Sequence, residues 1–321
     1  MEFVDQLNQW GAQKKPFVFI IDFEQKKPLA WLIEECPSAF QFKFNPSGVK
    51  SKAASENKLE EAHIQQFTKH PIALEDYAVK YHQVLNALQR GDSFLINLTI
   101  PTPVDSLVDF QTYFNQAQSK YVVWLKDEFI SFSPETFIQI DAGKIATYPM
   151  KGTIDASLPN AKEKILKDPK EYAEHATIVD LLRNDLSKVA SNVKVKDFRY
   201  YEELQTQGGM IGQVSSAIEG TLSDDYASKI GTILYDLLPA GSVSGAPKKK
   251  TADLIAEIEG KDRGYYTGIA GCFDGIHLDS CVLIRYLGAD NVYQSGGGIT
   301  FQSDLQSEYQ EMINKVYVPV Y

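Results

Sequence analysis

Three runs of strand-forming residues, YVVWL (121–125), FISF (129–132) and TFIQI (136–140), follow one another with three residues in each gap. Gaps that short cannot hold the crossover a parallel pair needs, so the spacing predicts antiparallel neighbours. FVFIID (17–22) and PLAWLI (28–33) read as two more short strands around a Glu-Gln-Lys-Lys turn. SFLINLTI (93–100) alternates like a strand and is expected to end at Pro101, and strand-like pieces return over 266–300. Helical spacing appears over 74–90, where Tyr77, Tyr81, Val84, Leu85 and Leu88 share a face and Gly91 supplies the stop. Residues 46–62 read as a polar surface loop or linker. No internal repeat and no regular strand–helix alternation appears, and the fold class expected is α+β.

The 321 residues carry a formal net charge of −10, which argues against nucleic acid or an anionic membrane as partner. A local cationic pocket for a small anion remains compatible with that balance. Cys36, Cys272 and Cys281 form no CxxC pair and no zinc framework, a pattern of reducing compartments. The N-terminal MEFVDQLNQW has acids where a secretion signal needs bases, and no apolar run approaches the ~18 residues of a membrane span. A cytoplasmic location is expected.

A long helix opens at Asp168, with Pro169 suited to the first helical position and Glu171 placed to complete a capping box. Winding it at 100° per residue puts Tyr172, His175, Val179, Leu182 and Leu186 on one apolar stripe, with Glu174 at its margin. A carboxylate there needs a cation, either a basic side chain or a metal. A last helix, from Ser303 or Asp304, buries Leu305, Tyr309, Met312, Ile313 and Val316 and lines one flank with Glu308, Glu311 and Lys315. Glu311 and Lys315 form an ordinary i,i+4 pair, yet two helices with margin carboxylates could also share one hard cation. YPMKGT (148–153) offers Lys151, which needs desolvation or nearby positive charge to act as a nucleophile. LLPAGSVSGAPKKKT (237–251) fails the phosphate-loop pattern and reads as a tight turn into a helix, its amides and Ser242 free to meet an anion. SGGGIT (295–300) lets the backbone approach a carboxylate or another segment closely.

Taken together and in order, GDSFLINLT (91–99), SPETF (133–137), YPMKGT (148–153), EHATIVDLLRND (174–185), PAGSVSGAPK (239–248), RGYYTGIAG (263–271), LIRYL (283–287), QSGGGIT (294–300) and SDLQSEYQEMINK (303–315) resemble the chorismate-utilising enzyme family. The similarity runs from about residue 72 to the end. It implies antiparallel sheets flanked by helices, a short N-terminal segment (1–70) and a chorismate-binding catalytic domain (71–321). The resemblance further implies Mg2+ held by Glu174 and Glu311. It implies a substrate cradle of Thr153, Ser242, Tyr266, Arg285, the Gly296, Gly297 and Gly298 amides, and Lys315. A dicarboxylate substrate calls for such a set of a metal, a guanidinium, an ammonium and backbone donors.

Lys151 separates family members. Anthranilate synthases resemble PIAGT at this point, the aminodeoxychorismate type resembles PIKGT, and this chain reads PMKGT. The resemblance therefore implies amination of chorismate at C4 through a covalent Lys151 intermediate. Glu135 would be general acid, and ammonia would come from a separate glutamine amidotransferase subunit. The alternatives are an anthranilate, isochorismate or salicylate synthase of the same family, or a non-catalytic chorismate-binding subunit. Three residues depart from the family pattern. Leu95 stands where relatives carry glutamine or a water-activating lysine, Gly212 where anthranilate synthases carry histidine, and Tyr286 where threonine is usual.

Overall fold

The computed structural model describes residues 2–51, 67–106, 108–206 and 209–319. Its strands along the chain are β1 (Phe17–Ile21), β2 (Leu29–Leu32), β3 (Phe40–Phe44), β4 (Val49–Lys50), β5 (Thr68–Lys69), β6 (Leu95–Asp105), β7 (Tyr121–Leu125), β8 (Phe129–Ser133) and β9 (Thr136–Asp141). They continue as β10 (Lys144–Thr147), β11 (Met150–Asp155), β12 (Ser191–Thr206), β13 (Gly209–Thr221), β14 (Gly245–Ala246), β15 (Ile269–Phe273), β16 (Leu278–Val282), β17 (Tyr286–Gly288) and β18 (Val292–Ile299). The helices are α1 (Glu2–Ala12), α2 (Leu74–Gln89), α3 (Phe110–Gln116), α4 (Ala161–Lys167), α5 (Pro169–Leu186), α6 (Ile230–Leu237), α7 (Lys248–Glu259) and α8 (Leu305–Asn314). Among the described residues the strands form two antiparallel sheets. The first runs β11-β13-β10-β9-β16-β15-β1-β2 with β12 beside β13; the second runs β14-β6-β18-β17-β8-β7-β3-β4 with β5 beside β6. The fold is α+β, with antiparallel sheets flanked by helices.

Alternation along single strands shows the layering. Val18 and Ile20 of β1 face Phe40, Phe42 and Phe44 of β3 with Tyr121 and Val123 of β7, which closes one sheet on the other. Phe17, Phe19 and Ile21 point the opposite way, into a core with Ile178, Val179, Leu182 and Leu186 of α5 and Ile230 and Leu234 of α6. Ile96, Leu98 and Ile100 of β6 lie under Tyr77, Tyr81 and Val84 of α2, Leu254 of α7 and Met312 of α8. Because β1 is covered on both faces, it reads as an unbroken apolar run rather than an alternating one. The short N-terminal segment expected over 1–70 thus supplies β1 and β2 to one sheet and β3 and β4 to the other. Of the expected 46–62 loop, residues 49 and 50 form β4, and 52–62 lie outside the described residues.

Several expectations need correction. β6 does not end at Pro101 but continues through Pro103 to Asp105. The Asn97 and Thr99 amides point away from β18, to Ser244 O and Glu259 Oε1. Pro101 and Pro103 share that direction, so their missing N–H groups remove nothing from the β6–β18 ladder. β7 and β8 pair as expected, whereas β9 leaves them for the other sheet, beside β10 and β16. The chain crosses between sheets at Pro134 and Glu135. Asp168 caps α5, accepting from the Lys170 and Glu171 amides at 2.8 and 3.1 Å. Glu171 does not close a capping box; its Oε2 is buried without a hydrogen bond, close against Gly152 of β11. Tyr172 is 51% exposed rather than part of the buried stripe, and its ring meets Phe198 edge-on.

Candidate active site

The crossing of the chain between the sheets opens a cleft of about 150 Å3. Its walls carry Lys151 from β11, Glu174 from α5, Glu135 from the β8–β9 crossing, Ser242 from the turn before β14, and Tyr266 and Arg285. Lys315 and the glycines Gly296 and Gly298 complete the lining, together with the apolar side chains of Leu95, Ile178 and Val243. Motifs spread from residue 95 to residue 315 therefore meet at one place.

Four buried polar atoms in this lining have no hydrogen-bond partner among the described residues: Asn97 Oδ1, Glu174 Oε1, Arg285 Nε and Thr300 Oγ1. Leaving a buried polar group unpaired costs about 1–3 kcal/mol, so such a concentration marks a surface built to meet a ligand. Arg285 also holds φ at 53°, an unusual value for a side chain of its size, while its guanidinium lies 5.2 Å from the centre of the Tyr317 ring.

The charges are arranged in two groups. Lys151 Nζ lies 2.9 Å from Glu174 Oε2, and Lys170 approaches Glu174 Oε1 at 3.8 Å. Burial disfavours the Lys151 ammonium, but the carboxylates of Glu174, Glu311 and Glu308 outweigh it and hold the pKa above that of an ordinary lysine. Lys315 pairs with Glu311 at 2.5 Å and donates to Gly296 O at 2.9 Å. Glu308, one turn before Glu311, is itself buried, and desolvation pushes its carboxyl up. Glu135 forms the second group with Ser242, whose hydroxyl donates to Glu135 Oε1. Burial raises the Glu135 carboxyl despite the Ser242 bond and the nearby Lys315, Arg285 and Lys120 cations.

Not every expected residue lies in the cleft. Thr153 is exposed on β11, opposite Gln213 of β13. Gly298 and Gly296 stand opposite Asn97 and Thr99, whose amides point away from β18, so by the antiparallel pattern their own amides face the open edge. The alternation turns the Gly297 amide toward the β6 ladder opposite Leu98, and its Cα faces Glu308 and Glu311. Glu311 is not itself in the cleft lining, but its carboxylate pairs with Lys315 and acts on Lys151, both of which line the cleft. Sequence reasoning missed Asn97 and Thr300. A polar residue between Leu95 and Thr99 on the face opposite Ile96 and Leu98 was the available signal for Asn97.

The three departures have structural counterparts. Leu95 packs against Gly298, where an added Cβ would stand 3.0 Å from it. Gly212 lies under the Tyr201 ring, which any side chain there would have to push aside. Tyr286 stacks on Phe129 at 4.6 Å and meets Tyr266 edge-on, an aromatic packing that threonine could not supply.

With sheets, cleft and motifs in this arrangement, the chain belongs to the chorismate binding enzymes, whose family model matches residues 11–320. An uncharacterized PabA-like protein of Haemophilus influenzae is 46% identical over 321 residues, covering 99% of this chain and 96% of that one. Aminodeoxychorismate synthase component 1 of Escherichia coli is 33% identical over 262 residues. That match takes in 75% of this chain but only 56% of that protein, so the chain spans little more than half its length. Among solved structures, anthranilate synthase component I from Streptococcus pneumoniae superposes with a TM-score of 0.66 at 26% identity, over 81% of this chain and 61% of that one. Among the described residues no helix is long and apolar enough to cross a membrane.

Proposed function

We propose that the chain aminates chorismate at C4 to 4-amino-4-deoxychorismate, the precursor of 4-aminobenzoate for folate, with Lys151 as covalent nucleophile. The observation that carries this reading is the presence of Lys151 and Glu135 in one cleft with Arg285 and Lys315, among polar atoms that lack partners. Arg285, Lys315 and the Gly296 and Gly298 amides suit the two carboxylates of chorismate. Leu95 carries no group that could take a proton from water, which disfavours hydroxylation at the ring.

The donor set fits magnesium. Among the described residues no three His, Cys, Asp or Glu side chains gather as a ready cage. Among the described residues Glu174 Oε1 has no hydrogen-bond partner, and Glu311 acts electrostatically on the same Lys151 as Glu174. Magnesium takes few carboxylates and completes its shell with water and ligand oxygens. Bound by Glu174 and Glu311, it would neutralise carboxylate charge on the protein and on chorismate. With Glu174 holding such an ion, Lys151 would lose the attraction that keeps it protonated and keep the desolvation that favours the neutral amine.

Lys151 Nζ then bonds to ring C2, the ring double bonds shift, and the C4–O bond breaks. Glu135 supplies the proton with which that oxygen leaves as water, the task of a carboxyl whose pKa burial has raised. Ammonia, delivered by a separate glutamine amidotransferase subunit, bonds to C4. The double bonds shift back, and the C2–N electron pair returns to Lys151. Glu135 regains its proton from the new ammonium or from solvent. Mass spectrometry of products from chorismate, magnesium and ammonium tests this reading: 4-amino-4-deoxychorismate is expected. Anthranilate, isochorismate or salicylate would overturn it.

A further inference from the structure

Ser242 stands with the substrate cradle by family resemblance, but its hydroxyl is already committed. It donates to Glu135 Oε1, and among the described residues that is the side-chain hydrogen bond the carboxyl receives. Both partners line the cleft, and both also line a second, mostly apolar cavity of about 20 Å3 walled by Phe137, Leu182, Leu237 and Val282. The Ser242–Glu135 pair is thus the partition between the two spaces.

The turn that carries Ser242 is fixed from several sides. Arg263 Nη1 donates to Val243 O at 2.8 Å, Ser244 Oγ to Ala240 O at 2.8 Å, and the Asn97 amide to Ser244 O at 2.9 Å. A Cβ on Gly241 would come within 3.1 Å of Leu181, Leu182 and Asp185, so α5 closes the remaining side. Glu135 is pinned through its own backbone, its amide donating to Ser133 Oγ at 3.1 Å and its carbonyl accepting from Val282 N at 3.2 Å. Two rigid backbones therefore meet through one side-chain hydrogen bond.

We propose that Ser242 is the positioning residue of the general acid rather than a substrate ligand: it holds Glu135 Oε1 and leaves Oε2 as the oxygen that carries the proton. This rests on the acid role given to Glu135 above. The charged and titratable groups facing Glu135 are Lys315 beyond α8, Arg285 before β17, Lys120 before β7 and the Cys281 thiol of β16. Ser242 is the one whose hydroxyl bonds the carboxylate, and that bond favours the ionised form.

The test compares the resting protein with Ser242→Ala and Ser242→Thr after labelling with glutamate enriched in 13C at the carboxyl. The Glu135 signal is assigned by its absence in Glu135→Gln. Ser242→Ala is expected to raise the Glu135 titration midpoint by about one pH unit, and Ser242→Thr to restore it. The dissociation constant for chorismate with magnesium, read from the thermal shift in a Lys151→Ala background that forms no covalent adduct, is expected to stay within about twofold when Ser242→Ala is added. An unmoved Glu135 midpoint overturns the proposal, as does a tenfold or greater loss of chorismate affinity in Ser242→Ala. Neither readout needs turnover. A chain that made a different product from chorismate would lose the reaction proposed above while this test still decided the role of Ser242.

Discussion

Glu259→Gln removes one charge from the most buried ion pair among the described residues and changes little else. Glu259 and Arg263 have side chains only 2% exposed, with Arg263 Nη2 at 2.6 Å from Glu259 Oε1 and Nε at 2.9 Å from Oε2. Arg263 also donates to Asn97 O at 2.7 Å and Val243 O at 2.8 Å, and Glu259 Oε1 accepts the Thr99 amide at 3.0 Å. Glutamine keeps the acceptor for Thr99 but leaves a guanidinium without its counter-charge, which costs about 3–5 kcal/mol. At ~2.1 cal/mol/K per residue, the 321 residues give an unfolding entropy of about 0.7 kcal/mol/K. The midpoint should therefore fall by about 4–7 °C in scanning calorimetry. Combining Glu259→Gln with Arg263→Met, which leaves no unpaired charge, should recover much of the loss. A single variant that melts within about 1 °C of the parent, or a double variant as unstable as the two singles summed, would refute the claim that this pair is buried and coupled.

His175 is fully buried, bonds Ser216 Oγ at 2.7 Å, and desolvation lowers its pKa from 6.5 to about 4. Below pH 6.5 the unfolded chain takes up a proton that the folded chain refuses until about pH 4. Stability should be unaffected by this group above that window and fall by roughly 2–3 kcal/mol as pH drops through it; urea titrations of His175→Gln should lack this component. Glu135 must be protonated to act, so the rate should decline as pH rises past its raised pKa; Glu135→Gln should cost at least ~100-fold and abolish that limb, and an unchanged pH–rate profile would remove the acid from the mechanism. Gly212→His forces the Tyr201 ring aside, since its Cβ would start 2.2 Å from Tyr201 Oη. About 1–3 kcal/mol of stability should be lost without any anthranilate appearing, and Tyr201→Ala in the same chain should relieve most of the loss.

Much of the local structure was legible because its causes are local. Asp168 followed by Pro169 signals a helix start through groups within one turn, and the Tyr77–Leu88 face follows from spacing alone. What pairs with what is set over long distances. Nothing near Thr136 indicates that β9 leaves β8 for β16, 140 positions away in the chain by the Asp279–Gln139 register. Pro101 reads as a stop because the absence of a pairing strand on its N–H side is a tertiary fact. The same limit applies to the site. Lys151, Glu135, Arg285 and Lys315 come to one cleft from separate motifs, and single-strand alternation decides that Gly296 and Gly298 face it while Gly297 faces Glu308 and Glu311. Ser242 looked like a free donor until Glu135, which precedes it by 107 residues, was seen to take its hydrogen bond.

The central claim is the covalent role of Lys151. Intact-protein mass spectrometry after rapid mixing with chorismate and magnesium, without ammonia, should show the chain heavier by chorismate less one water. Peptide mapping should place the addition on Lys151, and Lys151→Ala should show no adduct and a turnover at least ~1000-fold lower with ammonium. A Lys151→Ala protein that makes 4-amino-4-deoxychorismate at the parent rate would contradict the account.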